Sequence, residues 1–566
     1  MVLLTLAVLS AAGCATPVGV ARVGLREAYR EINITALGQR ELSDDTKDVL
    51  HRYDLSARFA KDPAGVLALL REKSLGEDDR RDLRFALAEL SFLYADYLGE
   101  SIDPEEHRRA PDYFLASAEN AYAYLLGDSR EAPPGPDDRR FRVACDLYNR
   151  ALGKALATGK DGQIELRGGV RELPAGPLAL SVDTQALPWP LETFTTFLLA
   201  DDYSVWGLTV RSRSPGLGVP LIAVPRATAE EPRGMPVPLT AFLRVSREPG
   251  ANGAHRFTGS LELYSAYDEP AVEVVGRNVP LETDLTAPLA YALDDPFVWK
   301  AGVRRFLHLQ DRVEPGIRLV QPYQPGRIPV VFVHGTASSA VWWAEMLNTL
   351  RADPVLRQRC QFWFFQYNSG VPVLVSAAQL RASLTTLLQR LDPEGKDPAL
   401  RQMAVIGHSQ GGLLTKLTAV HTGDRLWRSL SDQSLDEVPL DPAVRADLRE
   451  YFFVEPLPFV RRVVFISTPH RGSFRASNAV RNLVRKLMSL PANLVKETSQ
   501  LLSLGDRLKL PPQLRQTPTS VDSMSPENPV LQALAATPLA PVVTAHSIIP
   551  VLGEGDYREG NDGVVE

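Results

Sequence analysis

Residues 296–566 predict an α/β fold with a mostly parallel sheet, preceded by an α-helical, repeat-like region and a small β-rich domain. Three observations carry that prediction. In the C-terminal half, short apolar runs alternate with helical stretches, the order expected of strands joined by crossover helices. Over about 20–160, apolar residues recur at three- and four-residue spacing, a helical period. Over about 161–290, prolines and glycines punctuate strand-like pieces too often for helices.

The chain has 566 residues, 45% hydrophobic and 23% charged, which is enough for three or four domains with substantial cores. Its 62 basic and 68 acidic residues give a net charge of −6 without long blocks. A nucleic-acid binder needs a basic excess or stripe, so that class is excluded. Three cysteines cannot build a disulfide framework. Cys145 and Cys360 fall in different predicted domains and read as buried free thiols.

In chain order, Met1 to Gly13 is nearly all apolar or small and too short to span a membrane. It fits a secretory signal segment, 1–14, ending at Cys14. Ala11-Ala12-Gly13-Cys14 resembles a bacterial lipobox, which implies that Cys14 becomes a lipidated N-terminus. An ordinary signal peptide or a misplaced start codon is the alternative. Ala15 after the cysteine resembles the outer-membrane sorting class of lipoprotein. The implied place is the bacterial cell envelope, facing the periplasm or the exterior.

The helical region, 20–160, shows three stripes: Leu83, Leu87, Leu90, Tyr94 and Tyr97; Phe114, Ala118, Tyr122 and Leu125; Val143, Leu147, Ala151 and Ala155. Small residues alternating with Tyr and Leu resemble tetratricopeptide-type helix pairs, although no fixed period holds. A protein partner is one use for such a region. Strand-like pieces follow at 163–166, 178–182, 205–210, 237–245 and 257–264. Leu239, Ala241, Leu243 and Val245 alternate with Thr240, Phe242 and Arg244, a period of two. Residues 296–310 read as a helix entering the last domain.

In that domain, Ile328-Pro329-Val330-Val331-Phe332-Val333 reads as a strand buried on both faces, and it ends in His334-Gly335-Thr336. Gln361 to Phe365 reads as the next strand and 375–391 as its crossover helix. Met403-Ala404-Val405-Ile406 then runs into Gly407-His408-Ser409-Gln410-Gly411-Gly412, and helix follows. Strand, Gly-x-Ser-x-Gly and helix make a nucleophile elbow. The serine sits on a strained turn that lifts its hydroxyl clear of the sheet, and the glycines leave room where side chains would clash. The Gln410 N–H at the helix start can hold an oxyanion. Val463 to Ile466 leads into Ser467-Thr468-Pro469-His470-Arg471-Gly472. Residues 474–540, with amphipathic stretches at 483–490 and 494–504, read as a helical lid.

These motifs, in this order, resemble the α/β-hydrolase superfamily, and within it bacterial lipases and esterases with a His-Gly motif after an early strand. The likeness covers about the last 270 residues. It implies that Ser409 is the nucleophile, that the Thr336 N–H joins Gln410 at the oxyanion, and that Asp562 in Asn561-Asp562-Gly563 is the triad acid. It also implies a histidine after the acid, yet only four residues follow Asp562 and none is His. The expectation is that the natural gene runs on by roughly a few tens of residues to supply the base. His421, His470 and His546 are the other histidines downstream of Ser409. The family places His470 and His546 in structural positions, and either as base is the alternative. Asp522 reads as a solvated lid residue and Asp424 as a helix-end residue.

The implied activity is hydrolysis of small-molecule or lipid carboxylic esters through an acyl-enzyme on Ser409. An acyltransferase on the same elbow and a catalytically inactive envelope scaffold are the alternatives. The sequence implies no metal and no organic cofactor.

Overall fold

A computed structural model describes residues 20–76, 80–127, 129, 131–174, 176–227, 234–249, 255–268, 271–294, 315–472, 499–500 and 519–552. Cys14 and the signal segment, the expected 296–310 helix, most of the lid and the Asp562 loop lie outside the described residues. The described residues fall into two compact units. One lies within 1–156, 168–180 and 245–259, and the other within 157–167, 181–244 and 260–566.

The first unit is built on the helices Arg81–Gly99, Pro104–Leu125 and Arg139–Leu156, packed in chain order. Asp103 caps the second by accepting from the Glu105 N–H, with Pro104 in the first turn, where its missing donor costs nothing. Leu83, Leu87, Leu90, Phe114, Ala118, Tyr122, Leu125, Leu147, Ala151 and Ala155 are buried, as the stripes predict. Tyr97 is not: it is 67% exposed and stacks on Tyr94 with ring centroids 6.5 Å apart. Ring-on-ring contact there covers part of the apolar surface without entering the core.

In the second unit, the strands Phe194–Leu199 and 237–244 flank Val219–Pro225, all antiparallel. The predicted pieces at 178–182, 237–245 and 257–264 lie within strands. Two do not. Residues 163–166 form no strand, and residues 205–210 make an irregular loop. Gly207 turns that loop with φ +79°, and the Thr209 N–H donates to the Glu345 carboxylate instead of joining a ladder. The predicted strand over 237–245 is present, and its burial does not alternate. Thr240 and Phe242 are as buried as Leu239, Ala241 and Leu243, because this strand is covered on both faces.

The same unit carries a six-stranded mixed sheet. Its strands are β1 (Gly316–Leu319), β2 (Ile328–Val333), β3 (Cys360–Gln366), β4 (Met403–His408), β5 (Val460–Ile466) and β6 (Thr544–Ile548), in the order β1-β3-β2-β4-β5-β6. Only β1 runs antiparallel, against β3. From β2 the chain steps outward to β3, and from β4 it steps the other way to β5. The carboxyl ends of β2 and β4 therefore mark the point where strand order reverses, the place where open α/β sheets build their sites. Val331, Phe332, Val333, Trp363, Phe365 and Val405 are fully or almost fully buried in the strands. Helix α1 (Val373–Leu391) covers one face through Leu380 and Leu384, as the predicted crossover helix should. Cys145 and Cys360 form no disulfide and are half-buried rather than buried, and burial pushes the Cys360 thiol up. Among the described residues no helix is long and apolar enough to cross a membrane, and no cluster of His, Cys, Asp and Glu could hold a metal ion.

Candidate active site

β4 delivers Ser409 to the switch point, and α2 (Gln410–Lys416) starts immediately after it. Ser409 has φ 53° and ψ −124°, a conformation that a residue with a side chain adopts only under strain of ~1–3 kcal/mol. The chain holds it there from both sides. Its N–H donates to the Ile466 carbonyl of β5 (2.9 Å), and its carbonyl accepts from the Gly412 N–H (2.9 Å). Leu413, Leu414 and Leu417 are completely buried behind it. Each contributes roughly 1.5–3 kcal/mol by leaving water, so packing of the helix outweighs the strain of the bend.

Glycine is required where the chains cross. A Cβ on Gly411 would lie 2.3 Å from the Val333 carbonyl oxygen at the end of β2. On Gly407 it would lie 2.4 Å from the Gly411 carbonyl oxygen, and on Gly412 1.8 Å from the Thr468 hydroxyl beyond β5. On Gly335 it would come 2.9 Å from the Ser409 Cβ. The His-Gly motif and the elbow are thus in contact, with β2 and β4 in register through Val333 and Gly407.

The loop after β2 is fastened at several points. The Tyr367 hydroxyl donates to the His334 carbonyl (2.7 Å), and their rings stack at 4.4 Å. The His334 Nδ1 meets the Gly335 carbonyl at 2.9 Å. The Thr336 hydroxyl donates to the Gln410 Oε1 (2.6 Å), tying the loop to the first residue of α2. The Ala337 N–H donates to the Ser369 hydroxyl (3.0 Å). The backbone N–H of Gln410, in the first helical turn, has no intrahelical partner. The Thr336 loop is strapped to the start of that helix, beside the half-buried Ser409. Three non-glycine residues with left-handed φ, Ala337 (53°), Ser409 (53°) and Ser467 (48°), follow the carboxyl ends of the neighbouring strands β2, β4 and β5. Such strain concentrates at functional edges.

The structure brings together Thr336, Ser409 and Gln410, while Asp562 and Cys14 lie outside the described residues. Among the described residues, no histidine is hydrogen-bonded to the Ser409 hydroxyl. His421 lies past the end of α2 rather than on it, and its Nδ1 meets the Glu455 carboxylate at 2.8 Å. His546, on β6, meets Arg462 at 2.6 Å. His470 is half-buried, edge-on to Phe465 at 4.7 Å, and its Nδ1 has no partner. Burial, helped by the Lys416 ammonium, pulls its imidazole down to about 4. Burial likewise pulls Lys416, which donates to the Ala535 carbonyl, down to about 8.

Asp522 departs from the sequence reading. It is fully buried rather than solvated, and it accepts from the Thr519 N–H (2.8 Å) and hydroxyl (2.7 Å) in a capping box. Asp424 does sit at a helix end, paired with Arg428 at 3.0 Å. The Thr336–Gln410 side-chain strap was not anticipated, although Thr and Gln at those motif positions are the residue types that can form it.

No family model matches the chain, and no curated protein does. Among solved structures, it is similar to a lipase from Bacillus licheniformis in mature form, at 17% identity and TM-score 0.25, over 44% of this chain and 82% of that one. It is similar to esterase B from Lactobacillus rhamnosis at 17% identity and TM-score 0.20, over 38% and 68%. A thermophilic esterase from Thermogutta terrifontis matches at 14% identity and TM-score 0.19, over 32% and 59%. These likenesses are too distant to decide anything about this chain, whose reading rests on its own sheet and elbow.

Two outcomes follow from this geometry. Gly411→Ala forces its new methyl against two backbone carbonyls, so stability should fall by about 1–3 kcal/mol. An unchanged denaturant midpoint contradicts the crossing as described. For His470, the unfolded chain takes up a proton below about 6.5 and the folded chain only near 4. The folded state binds fewer protons in that window, so the stability that neutral His470 allows is lost as pH falls through it. Melting curves across pH 6.5 to 4 should therefore fall more steeply for the wild type than for His470→Gln.

Proposed function

We propose that the chain is a serine hydrolase of carboxylic esters, with small-molecule or lipid esters as substrates. The observation that carries this reading is Ser409, held at φ 53° between β4 and α2 where the strand order reverses. The Ser409 hydroxyl attacks the ester carbonyl, and its proton passes to a histidine that Asp562 orients. None of the described histidines is bonded to Ser409, so that base is not assigned to any of them. The N–H groups of Thr336 and Gln410 take the developing oxyanion. Collapse breaks the acyl–oxygen bond, the alcohol leaves with the proton, and an acyl-enzyme remains on Ser409. Water then adds to the acyl carbon and frees the acid and the serine.

In the same reading, lipidated Cys14 holds the chain at the bacterial envelope, and the helical region serves a protein partner there. More than one acyl chain makes such an anchor stable. The test is a panel of esters of graded acyl length on the full-length protein beside Ser409→Ala. The serine variant should lose at least roughly 10³-fold in kcat/KM. Equal rates for the two proteins, or no turnover of any ester by the wild type, defeats the proposal. Transfer of the acyl group to an added alcohol in preference to water would make it a transferase.

A further inference from the structure

A helix of eight residues, Leu25–Ile32, opens the described part of the first unit, and none of its residues is buried. Its apolar side chains fall at Leu25, Ala28, Tyr29 and Ile32, the i, i+3, i+4, i+7 spacing that puts them on one face. In a globular domain such a face turns toward the core. Here Leu25 is 88% exposed, Tyr29 67% and Ile32 54%, and Val20 and Val23, just ahead of the helix, are exposed as well.

Two features require this face to have a partner. Isolated helices shorter than about 12–15 residues are marginal in water. This one has no core behind it, and Gly24 before it offers no capping side chain. Its charges also run against a helix standing alone in water. Arg26 lies one turn from Arg30 and Glu27 one turn from Glu31, so each i,i+4 pair is of like charge. Arg22, Arg26 and Arg30 are all exposed, and none makes an ion pair among the described residues.

The partner follows from where the helix sits in the chain. Cys14 lies eleven residues before Leu25. An extended chain of that length reaches at most roughly 36–40 Å, so a bilayer holding Cys14 is always within reach of the helix. A short tether of this kind also keeps the local concentration of that surface high. We propose that Leu25–Ile32 lies flat on the lipid bilayer that anchors Cys14, with Leu25, Tyr29 and Ile32 among the acyl chains and Arg22, Arg26 and Arg30 at the headgroup phosphates. Tyrosine and arginine suit that boundary, because each has an apolar body and a polar tip. An amphipathic helix with its apolar face buried about 5–10 Å supplies the second attachment that one lipid chain alone lacks. The proposal rests on the lipidated-Cys14 reading and does not depend on the esterase reading.

Hydrogen exchange of the full-length protein, with and without vesicles of phosphatidylethanolamine and phosphatidylglycerol, tests the proposal. On vesicles the amides of 25–32 should exchange at least about tenfold more slowly, while those of the helix Pro104–Leu125 stay unchanged. Leu25→Ala with Ile32→Ala removes the apolar face but keeps a strong helix former at both positions. That variant should lose the protection and still sediment with the vesicles through its lipid. The mass of the peptide that begins at Cys14 reads the acylation separately. Protein that sediments with vesicles while 25–32 exchanges as it does in water overturns the proposal and leaves the Cys14 anchor standing. An unacylated Cys14 with 25–32 still slowed by vesicles overturns the anchor and leaves the helix contact standing. Equal protection in wild type and variant overturns the proposal. So does protection that rises with protein concentration in the absence of vesicles, which would make a second copy the occupant of the face.

Discussion

The whole candidate site depends on one steric condition: three stretches of backbone must cross within van der Waals distance at the ends of β2, β4 and β5. Gly335, Gly407, Gly411 and Gly412 meet it by having no Cβ where carbonyl oxygens, the Ser409 Cβ and the Thr468 hydroxyl already stand. Only in that crossing can Ser409 hold a left-handed bend at the top of a parallel sheet. Widening the crossing by one methyl would move the loop after β2 away from the start of α2. The Thr336–Gln410 strap, at 2.6 Å, would then be lost.

What surrounds the crossing is stiff for identifiable reasons. The sheet beneath it is apolar on both faces, which secures the register of β2 against β4 and hence the level at which both motifs emerge. Tyr367 and Ser369, from the loop after β3, fasten His334 and Ala337 from the far side. Strain at Ala337, Ser409 and Ser467 is thus stored along one edge and held by groups from three strands.

Most of this edge was readable from residues alone because its demands are local. A glycine at a close crossing and a Gly-x-Ser-x-Gly between strand and helix follow from backbone sterics, and a continuous apolar run from burial of a strand on both faces. What was not readable depends on distant partners. The 205–210 stretch has the apolar content of a strand, but Gly207 and the Glu345 carboxylate hold it as an irregular loop. Thr240 and Phe242 alternate with Leu239, Ala241 and Leu243, yet all five are buried. Tyr97 continues a helical stripe but finds Tyr94 instead of a core. Asp522 has the look of a surface acid and is consumed in capping.

The proposed reaction requires Ser409 to present its hydroxyl to a carbonyl whose oxygen lodges between two backbone amides. A crystal structure of the full-length protein after reaction with an alkyl phosphonate ester tests it most directly. Phosphorus should be bonded to the Ser409 Oγ, with one phosphonyl oxygen about 2.7–3.1 Å from the N atoms of both Thr336 and Gln410. A phosphonate bonded elsewhere, or one on Ser409 whose oxygens avoid both amides, would contradict the account.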